Sequence, residues 1–181
     1  MDRQLKAHLS LFVANLIYGA NYTIAKEVMP DYIMPFGFIL LRVIGATLLF
    51  WTLHLFYKKE SILNKDYGKL AICGLFGVAI NQLLFFKGLD MSTPINAAII
   101  MTANPIMVLI FAAIIIREAI TIRKSAGILL GLSGAALVIL QNAYFSISSG
   151  TQLGDLLVFI NATSYALYLV LVKPLMTKYH P

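Results

Sequence analysis

Long apolar segments alternate with short polar connectors along the whole chain. Six segments are apolar enough to be membrane spans: residues 9–25, 33–56, 70–86, 95–116, 125–141 and 156–172. Each is close to the ~17 to 25 residues that an α-helix needs to cross ~30 Å of hydrocarbon. These continuous runs lack the alternation of a β-barrel strand and must satisfy their own backbone groups. The pattern therefore predicts an all-α membrane protein with six transmembrane helices.

Composition supports a membrane protein of the inner (plasma) membrane. Of 181 residues, 60% are hydrophobic and 12% are charged, against roughly 25% charged in a soluble domain. The connectors are too short to form a soluble domain. The first span lacks a small-residue cleavage site and is followed by five more, so we expect it to be a mature helix rather than a signal peptide.

Lysine and arginine residues are distributed unequally between the two sets of connectors. If the N-terminus is cytoplasmic, eleven lie on the inner side, Lys26 and Lys87 lie on the outer side, and Arg42 lies inside the second span. Positive residues favour the cytoplasmic side. The net charge of +6 therefore predicts a cytoplasmic N-terminus and attraction to the lipid bilayer, and it does not point to a nucleic-acid partner.

Polar residues of the first and sixth spans repeat at a fixed offset. Asn15 and Tyr22 match Asn161 and Tyr168, 146 positions later. The two spans run in opposite directions, because the sixth starts five helices after the first. Such inverted repeats are common in secondary transporters, whose substrate site lies near the midplane between the repeats.

Several motifs resemble the EamA-type repeat of the drug/metabolite transporter superfamily. Residues 96–140 resemble its fourth and fifth helices, with Pro105 in mid-helix, Glu118 followed by Thr121, and then Gly127, Gly131 and Gly134. "YGANYTIAK" resembles its first helix and "LLRVIGATLLF" its second. Family members usually carry Trp before the first-helix glycine, where this chain has Tyr18.

The resemblance implies a ten-helix fold of two inverted repeats that moves a metabolite or drug by alternating access, with export as the expected direction. It assigns residues 1–142 to the first repeat, and residues 143–181 to an outer loop and the first helix of a second, incomplete repeat. We therefore expect a fragment whose missing second repeat completes the pathway. The alternative is a six-helix protein completed by a second protomer.

Two polar stripes are candidates for the lining of a substrate cavity. On ideal helices each set falls within about 100° of arc, and the sets are Asn15, Tyr18, Tyr22 and Lys26 in the first span, and Asn161, Ser164, Tyr165 and Tyr168 in the sixth. We expect the stripes to face each other across a cavity for a small-molecule substrate. The alternative is hydrogen bonding between helices and tyrosine packing. Lys26 is expected to reach the outer interface, and Asn21 falls off the stripe.

Arg42 is the costliest residue in the chain to place in a membrane. It lies nine residues into the second span, about 13 Å along a helix that rises 1.5 Å per residue. It must avoid lipid. It either receives an anionic group of the substrate or holds two helices together, and the sequence leaves both roles open.

Further polar candidates lie in the third and fourth spans. Asn81, Gln82 and Asn104 are secondary candidates for the cavity lining. Pro105 removes a backbone hydrogen bond in mid-helix, so we expect a kink or an exposed polar group there.

Four other residues are expected to have structural roles. Gly127, Gly131 and Gly134 lie within about 60° of one another on a helix, which predicts a smooth face for close helix packing. Glu118 lies at the inner turn and is expected to form ion pairs there, with a gate across the cytoplasmic mouth as the alternative.

The sequence leaves two other function classes open. Residues 131–134, "GLSG", match the G-x-S-G of rhomboid-type intramembrane proteases, in which Ser133 would need a histidine base. His54 is the one histidine inside a span, but it lies near the inner end, away from mid-membrane. A six-helix assembly subunit without transport is the second class. We expect no enzyme, no metal and no cofactor, and no proton relay built on a buried carboxylate, since Asp and Glu lie at or beyond the span ends.

Overall fold

The structure is a computed structural model that describes residues 3–56, 61–140 and 149–179. Within these ranges the chain forms helices and no strand, which confirms the all-α prediction. The helices are α1 (Arg3–Val28), α2 (Pro35–His54), α3 (Asn64–Met91), α4 (Pro94–Ile115), α5 (Ile122–Leu140) and α6 (Ser149–Met176).

Four helices are long and apolar enough to cross a membrane. They are α2, α3, α4 and residues Gln152–Met176 of α6. By length and composition these four helices are therefore candidate membrane spans, as the sequence predicts. For α1 and α5 the helices exist as predicted, and their crossing of the membrane stays a prediction.

Three helices, α1, α3 and α6, extend at both ends beyond the spans predicted from hydropathy. For α3, hydropathy predicts a span at residues 70–86, whereas the helix runs over Asn64–Met91. Similarly, α1 begins six residues before residue 9, at Arg3. Hydropathy marks the part of a helix that lies in hydrocarbon, whereas polar helix ends continue into the interface, where water and side chains satisfy the last backbone groups.

Two of the helices are irregular in the middle. In α3, residues Leu75–Ile80 form a π-helical stretch between two α-helical parts. In α4, the α-helix ends at Thr102 and resumes at Asn104, with Pro105 in the first turn of the second part. The break lies beside Pro105, where we expect a kink or an exposed polar group, since proline has no backbone N–H to donate to the preceding turn.

Helix α6 lies at the centre of the described bundle. It packs along α3 and against both parts of α4, Pro94–Thr102 and Asn104–Ile115, and the first part of α4 also packs on α5. Two glycines allow the α3–α6 approach, since a Cβ on Gly88 would lie 2.9 Å from the Gly154 carbonyl oxygen, and a Cβ on Gly154 would lie 2.8 Å from the Ser92 nitrogen. Small residues let transmembrane helices approach closely.

The two ends of the bundle differ in charge and in packing. We call the end that holds Lys69, Arg117, Lys124, Lys173 and Lys178 the basic end, and the other the Lys26 end. The main apolar core lies at the Lys26 end and is formed by Ala25, Met29, Ile39, Phe85, Phe86, Leu89, Ala97 and Val158. At the basic end α6 is fixed to α3, since both Lys178 and Tyr179 donate hydrogen bonds to the buried Asp66.

Candidate substrate cavity and polar helix contacts

A cavity of about 870 Å³ opens between α4, α5 and α6. Its walls are mostly apolar, and its lining from α4 includes Asn104 and Pro105 beside Val108, Leu109 and Ala112. The volume lies in the range of pockets for small ligands, ~300–1,000 Å³. Among the residues predicted to line a substrate cavity, the structure places Asn104 in the wall of this one.

The glycines of α5 contribute to the width of this cavity. Gly127 and Gly131 line it, and a Cβ on either of them, or on Gly134, would meet no atom within 4 Å. The predicted close packing of these three glycines is therefore not what the described residues show. Close contacts occur instead at glycines of α3 and α6, because those two helices cross at short distance.

An ion bridge lies at the mouth of the cavity, at the basic end. Lys124 of α5 and Lys173 of α6 both donate to the carboxylate of Glu118, the latter over 2.6 Å. These hydrogen bonds lower the pKa of Glu118 to about 2. Glu118 therefore joins α5 to α6 across the mouth, which agrees with the ion pairs expected for it.

Backbone geometry brings Glu118 to this position. Arg117 adopts a left-handed conformation with φ of 53°, and the Glu118 N–H then donates to the Ala112 carbonyl over 3.1 Å. A left-handed residue commonly ends a helix, and glycine is the usual choice. The turn folds the chain back over the last turn of α4 and directs Glu118 to the cavity.

The polar stripe of α6 is bonded to α3. Asn161 donates to the Asn81 carbonyl over 2.6 Å, and Ser164 donates to the Phe76 carbonyl over 2.8 Å. A π-helical stretch leaves carbonyl groups without their usual i+4 partner. Phe76 lies inside such a stretch, and Asn81 directly follows it. For Asn161 and Ser164 the structure thus shows the alternative, hydrogen bonding between helices.

The tyrosine Tyr168 of α6 also packs against α3, with Tyr165 next to it. The ring of Tyr168 covers Gly77, where a Cβ would lie 2.6 Å from the ring. Tyr165 lies beside it, with 5.8 Å between ring centroids. A glycine at position 77 is therefore required by the close approach of the Tyr168 ring to α3.

Arg42 is held between α1, α2 and α3. Its guanidinium donates to the Asn21 side-chain oxygen of α1 and lies 5.8 Å and 5.1 Å from the ring centroids of Phe38 and Phe86. Cation–π contacts of this kind stabilise a cation that is partly removed from water. These contacts favour the helix-joining role of Arg42. Asn21, which the sequence did not select because it falls off the stripe, is the residue that pairs with it.

The polar stripe of α1 contrasts with that of α6. Asn15 donates to the Leu11 carbonyl of its own helix over 2.8 Å, and both Asn15 and Tyr18 are exposed. The side chain of Tyr22 lies outside the part of the chain that the structure describes. Lys26, expected to reach the outer interface, donates to the carbonyls of Leu89, Asp90 and Ser92 at the end of α3.

Three buried side-chain oxygens have no hydrogen-bond partner within the described residues. They belong to Gln82, Asn104 and Asn161. All three residues were selected from the sequence as candidates for the cavity. A buried acceptor without a partner costs free energy, and a substrate that donates a hydrogen bond to it would remove that cost. Substrate binding by Gln82, Asn104 and Asn161 stays a prediction.

Ser133 and His54, the residues that an intramembrane protease would need, each contact other groups. Ser133 donates to the Leu130 carbonyl of its own helix over 2.9 Å. His54 lies next to Trp51, with 6.4 Å between ring centroids. Neither contact activates a serine nucleophile, which requires a base hydrogen-bonded to its hydroxyl.

Comparison with known proteins gives the family. The profile of the EamA-like transporter family matches residues 5–140. The chain belongs to the EamA-like transporter family. This confirms the resemblance found in its motifs, and it points to a transporter rather than an enzyme.

Curated relatives of this EamA-like chain are named as transporters. A Bacillus subtilis protein named uncharacterized transporter YyaM is 29% identical over 174 residues, covering 93% of this chain and 56% of the relative. An Archaeoglobus fulgidus protein named uncharacterized transporter is 29% identical over 177 residues, covering 98% of this chain and 61% of the relative. The chain thus spans about three-fifths of the length of these relatives. No solved structure matches the chain.

Proposed function

We propose that this chain is part of a secondary transporter that moves a small organic solute across the membrane by alternating access. The family match and the names of the relatives support the transporter role. In our proposal the basic end is cytoplasmic, in agreement with the distribution of Lys and Arg, and transport is outward.

The cavity at the basic end is the observation that carries the proposal. It has a volume suited to a small organic molecule, it reaches from the break in α4 to the basic end, and an ion bridge crosses its mouth. Alternating access requires a site that opens to one side at a time, with contacts that break when that side opens. Glu118 is in the position of such a contact.

The difference between α1 and α6 supports an incomplete pathway. Asn161 and Ser164 of α6 are bonded to α3, whereas Asn15, the counterpart of Asn161, is exposed on α1. If the two helices are equivalents in an inverted repeat, the stripe of α1 needs an equivalent of α3 to cover it. We propose that a second repeat, or a second protomer, supplies that helix and completes the substrate pathway.

Transport by the full-length gene product in liposomes tests the proposal. We expect counterflow of at least one compound in a panel of amino acids, nucleobases, sugars and organic acids. Asn15→Ala and Tyr22→Ala should each reduce this transport at least tenfold while membrane insertion is unchanged. Leu16→Ala is the matched control, because Leu16 is an exposed apolar residue on the same helix.

Two results would count against it. Normal transport by both the Asn15 and the Tyr22 variants would remove the stripe of α1 from the pathway. If no compound of the panel is moved and the purified protein stays bound to other membrane proteins, the assembly-subunit alternative is favoured.

A further inference from the structure

The charges at the mouth of the cavity are unbalanced. The charged residues of its lining are Glu118, Arg123, Lys124 and Lys173, so positive charges exceed negative charges by two. Glu118 is already shared between Lys124 and Lys173. Arg123 lines the cavity and forms no hydrogen bond or ion pair with any residue that the structure describes, which leaves its guanidinium available to a ligand.

Beyond the mouth, the wall offers apolar contacts. Val108 and Leu109 of α4, Ile128 and Leu132 of α5, and Leu169 of α6 line it. Because Gly127 and Gly131 have no side chain, the space beside α5 is open to an apolar group. The cavity therefore combines an apolar interior with a cationic mouth.

We propose that this cavity binds a small organic anion that carries one carboxylate on an apolar body, and this assignment rests on the transport function proposed above. Arg123 receives the carboxylate, since a guanidinium matches the geometry of a carboxylate with two parallel hydrogen bonds. The apolar body lies between α4 and α5. A cation of the same shape is repelled by the excess positive charge, and a neutral analogue lacks the contact with Arg123.

The charge arrangement favours a free solute over a phospholipid. Lipid headgroups are typically held by clusters of several Lys and Arg residues. Here both lysines of the mouth are bound to Glu118, which leaves one guanidinium, enough for a single carboxylate.

Binding of matched probes tests the proposal. The full-length protein is placed in nanodiscs of zwitterionic phosphatidylcholine, and its Tm is measured with 4-phenylbutyrate, 4-phenylbutanamide and 4-phenylbutylammonium, which share one apolar body and differ in charge. We expect 4-phenylbutyrate to raise the Tm in a saturable way, and the amide and the ammonium compound to bind at least tenfold more weakly.

Three variants at the basic end separate specific binding from general electrostatics. Arg123→Gln should fold with an unchanged Tm, because the side chain forms no hydrogen bond or ion pair with any residue that the structure describes, and it should bind 4-phenylbutyrate at least tenfold more weakly. Arg117→Gln removes the same charge at the same end outside the cavity lining, and should bind as the unchanged protein does. Glu118→Gln, compared with its own ligand-free Tm, should bind the anion more tightly, because it removes the competing carboxylate.

Three results would overturn the proposal. The first is equal binding of the three probes, and the second is equal weakening by Arg123→Gln and Arg117→Gln. The third is a Tm increase that depends on Arg123 and appears with anionic phosphatidylglycerol in the nanodiscs, while 4-phenylbutyrate has no effect in zwitterionic ones, which would assign the cavity to lipid. Transport of other solutes without anion binding refutes this inference alone, whereas anion binding without transport of any compound refutes the transport function alone.

Discussion

A single polar side chain can join two helices by donating hydrogen bonds to the carbonyl groups at a helix end. Lys26 donates to three carbonyls at the end of α3, at distances of 2.9 to 3.3 Å. These carbonyls have no partner within their own helix, and a cation next to them also interacts favourably with the helix dipole. One lysine thus attaches α1 to the rest of the bundle at the Lys26 end.

Replacing this lysine should loosen α1. We expect Lys26→Met to lower the free energy of unfolding by about 1–3 kcal/mol, since it leaves part-buried carbonyls unpaired. The measurement is the Tm in detergent, with Lys87→Met as the control, because Lys87 forms a surface ion pair with Asp90 that is worth at most about 1 kcal/mol. Equal losses in the two variants would contradict the anchoring role of Lys26.

The pairing of Arg42 shows what a sequence pattern omits at this scale. A helical projection indicates which residues share a face of one helix, but it does not indicate what the neighbouring helix presents. Asn21 lies off the stripe of α1, so the projection does not mark it as a cavity candidate, yet its side-chain oxygen accepts a hydrogen bond from Arg42. The useful signal was the cost of an unpaired arginine in a span, which requires a partner on another helix.

At the scale of helices, the α3–α6 contact dominates the described structure. It combines the glycine crossing at Gly88 and Gly154, the ring of Tyr168 over Gly77, and the hydrogen bonds from Asn161 and Ser164. The sequence singled out the polar and aromatic residues on the α6 side of this contact. It did not single out the glycines of α3, since a glycine gives no local sign of the helix that crosses it.

Adding a methyl group at the crossing tests this contact. Gly88→Ala places a Cβ 2.8 Å from the Val158 side chain and 2.9 Å from the Gly154 carbonyl oxygen. We expect a loss of about 1–3 kcal/mol, since backbone atoms must move apart. Gly131→Ala is the control, because nothing lies within 4 Å of its Cβ and alanine favours a helix more than glycine does.

The comparison is made by thermal unfolding of the two variants in the same detergent. The crossing is not a close contact in solution if Gly88→Ala is as stable as Gly131→Ala.

At the scale of the whole molecule, the positions of helices were predictable and their mutual arrangement was not. Continuous apolar runs predicted each helix, and Pro105 predicted the break in α4, because proline removes a specific hydrogen bond. The π-helical stretch of α3 has no such marker residue. Asn, Ser and Tyr suit a cavity wall and a helix interface equally well, so the choice between them needed the position of α6 against α3.

The ion bridge at the basic end is a whole-molecule feature with a defined pH dependence. The pKa of Glu118 is about 2 in the folded chain and close to the ordinary value of ~4.3 when unfolded. A lowered carboxyl pKa stabilises the folded state fully above the unfolded pKa, and this stabilisation is lost as the pH falls through the folded pKa. The bridge is therefore intact across physiological pH and weakens between about pH 4 and pH 2.

The prediction is a Tm difference between the unchanged protein and Glu118→Gln that is constant from about pH 5 to pH 8 and decreases below about pH 4. Glu27→Gln, which removes an exposed carboxylate at the Lys26 end, controls for the loss of a negative charge. A difference that instead changes between pH 5 and pH 8 would contradict the depressed pKa.

The π-helical stretch of α3 has a mechanical consequence. A π turn holds more residues than an α turn, so a change of Leu75–Ile80 to α geometry would twist the two ends of α3 against each other about the helix axis. Side chains of α6 donate hydrogen bonds to one carbonyl inside this stretch and to one directly after it. Such a twist must either break at least one of these hydrogen bonds or move α6 as well. The rotations of α3 and α6 about their axes are therefore coupled.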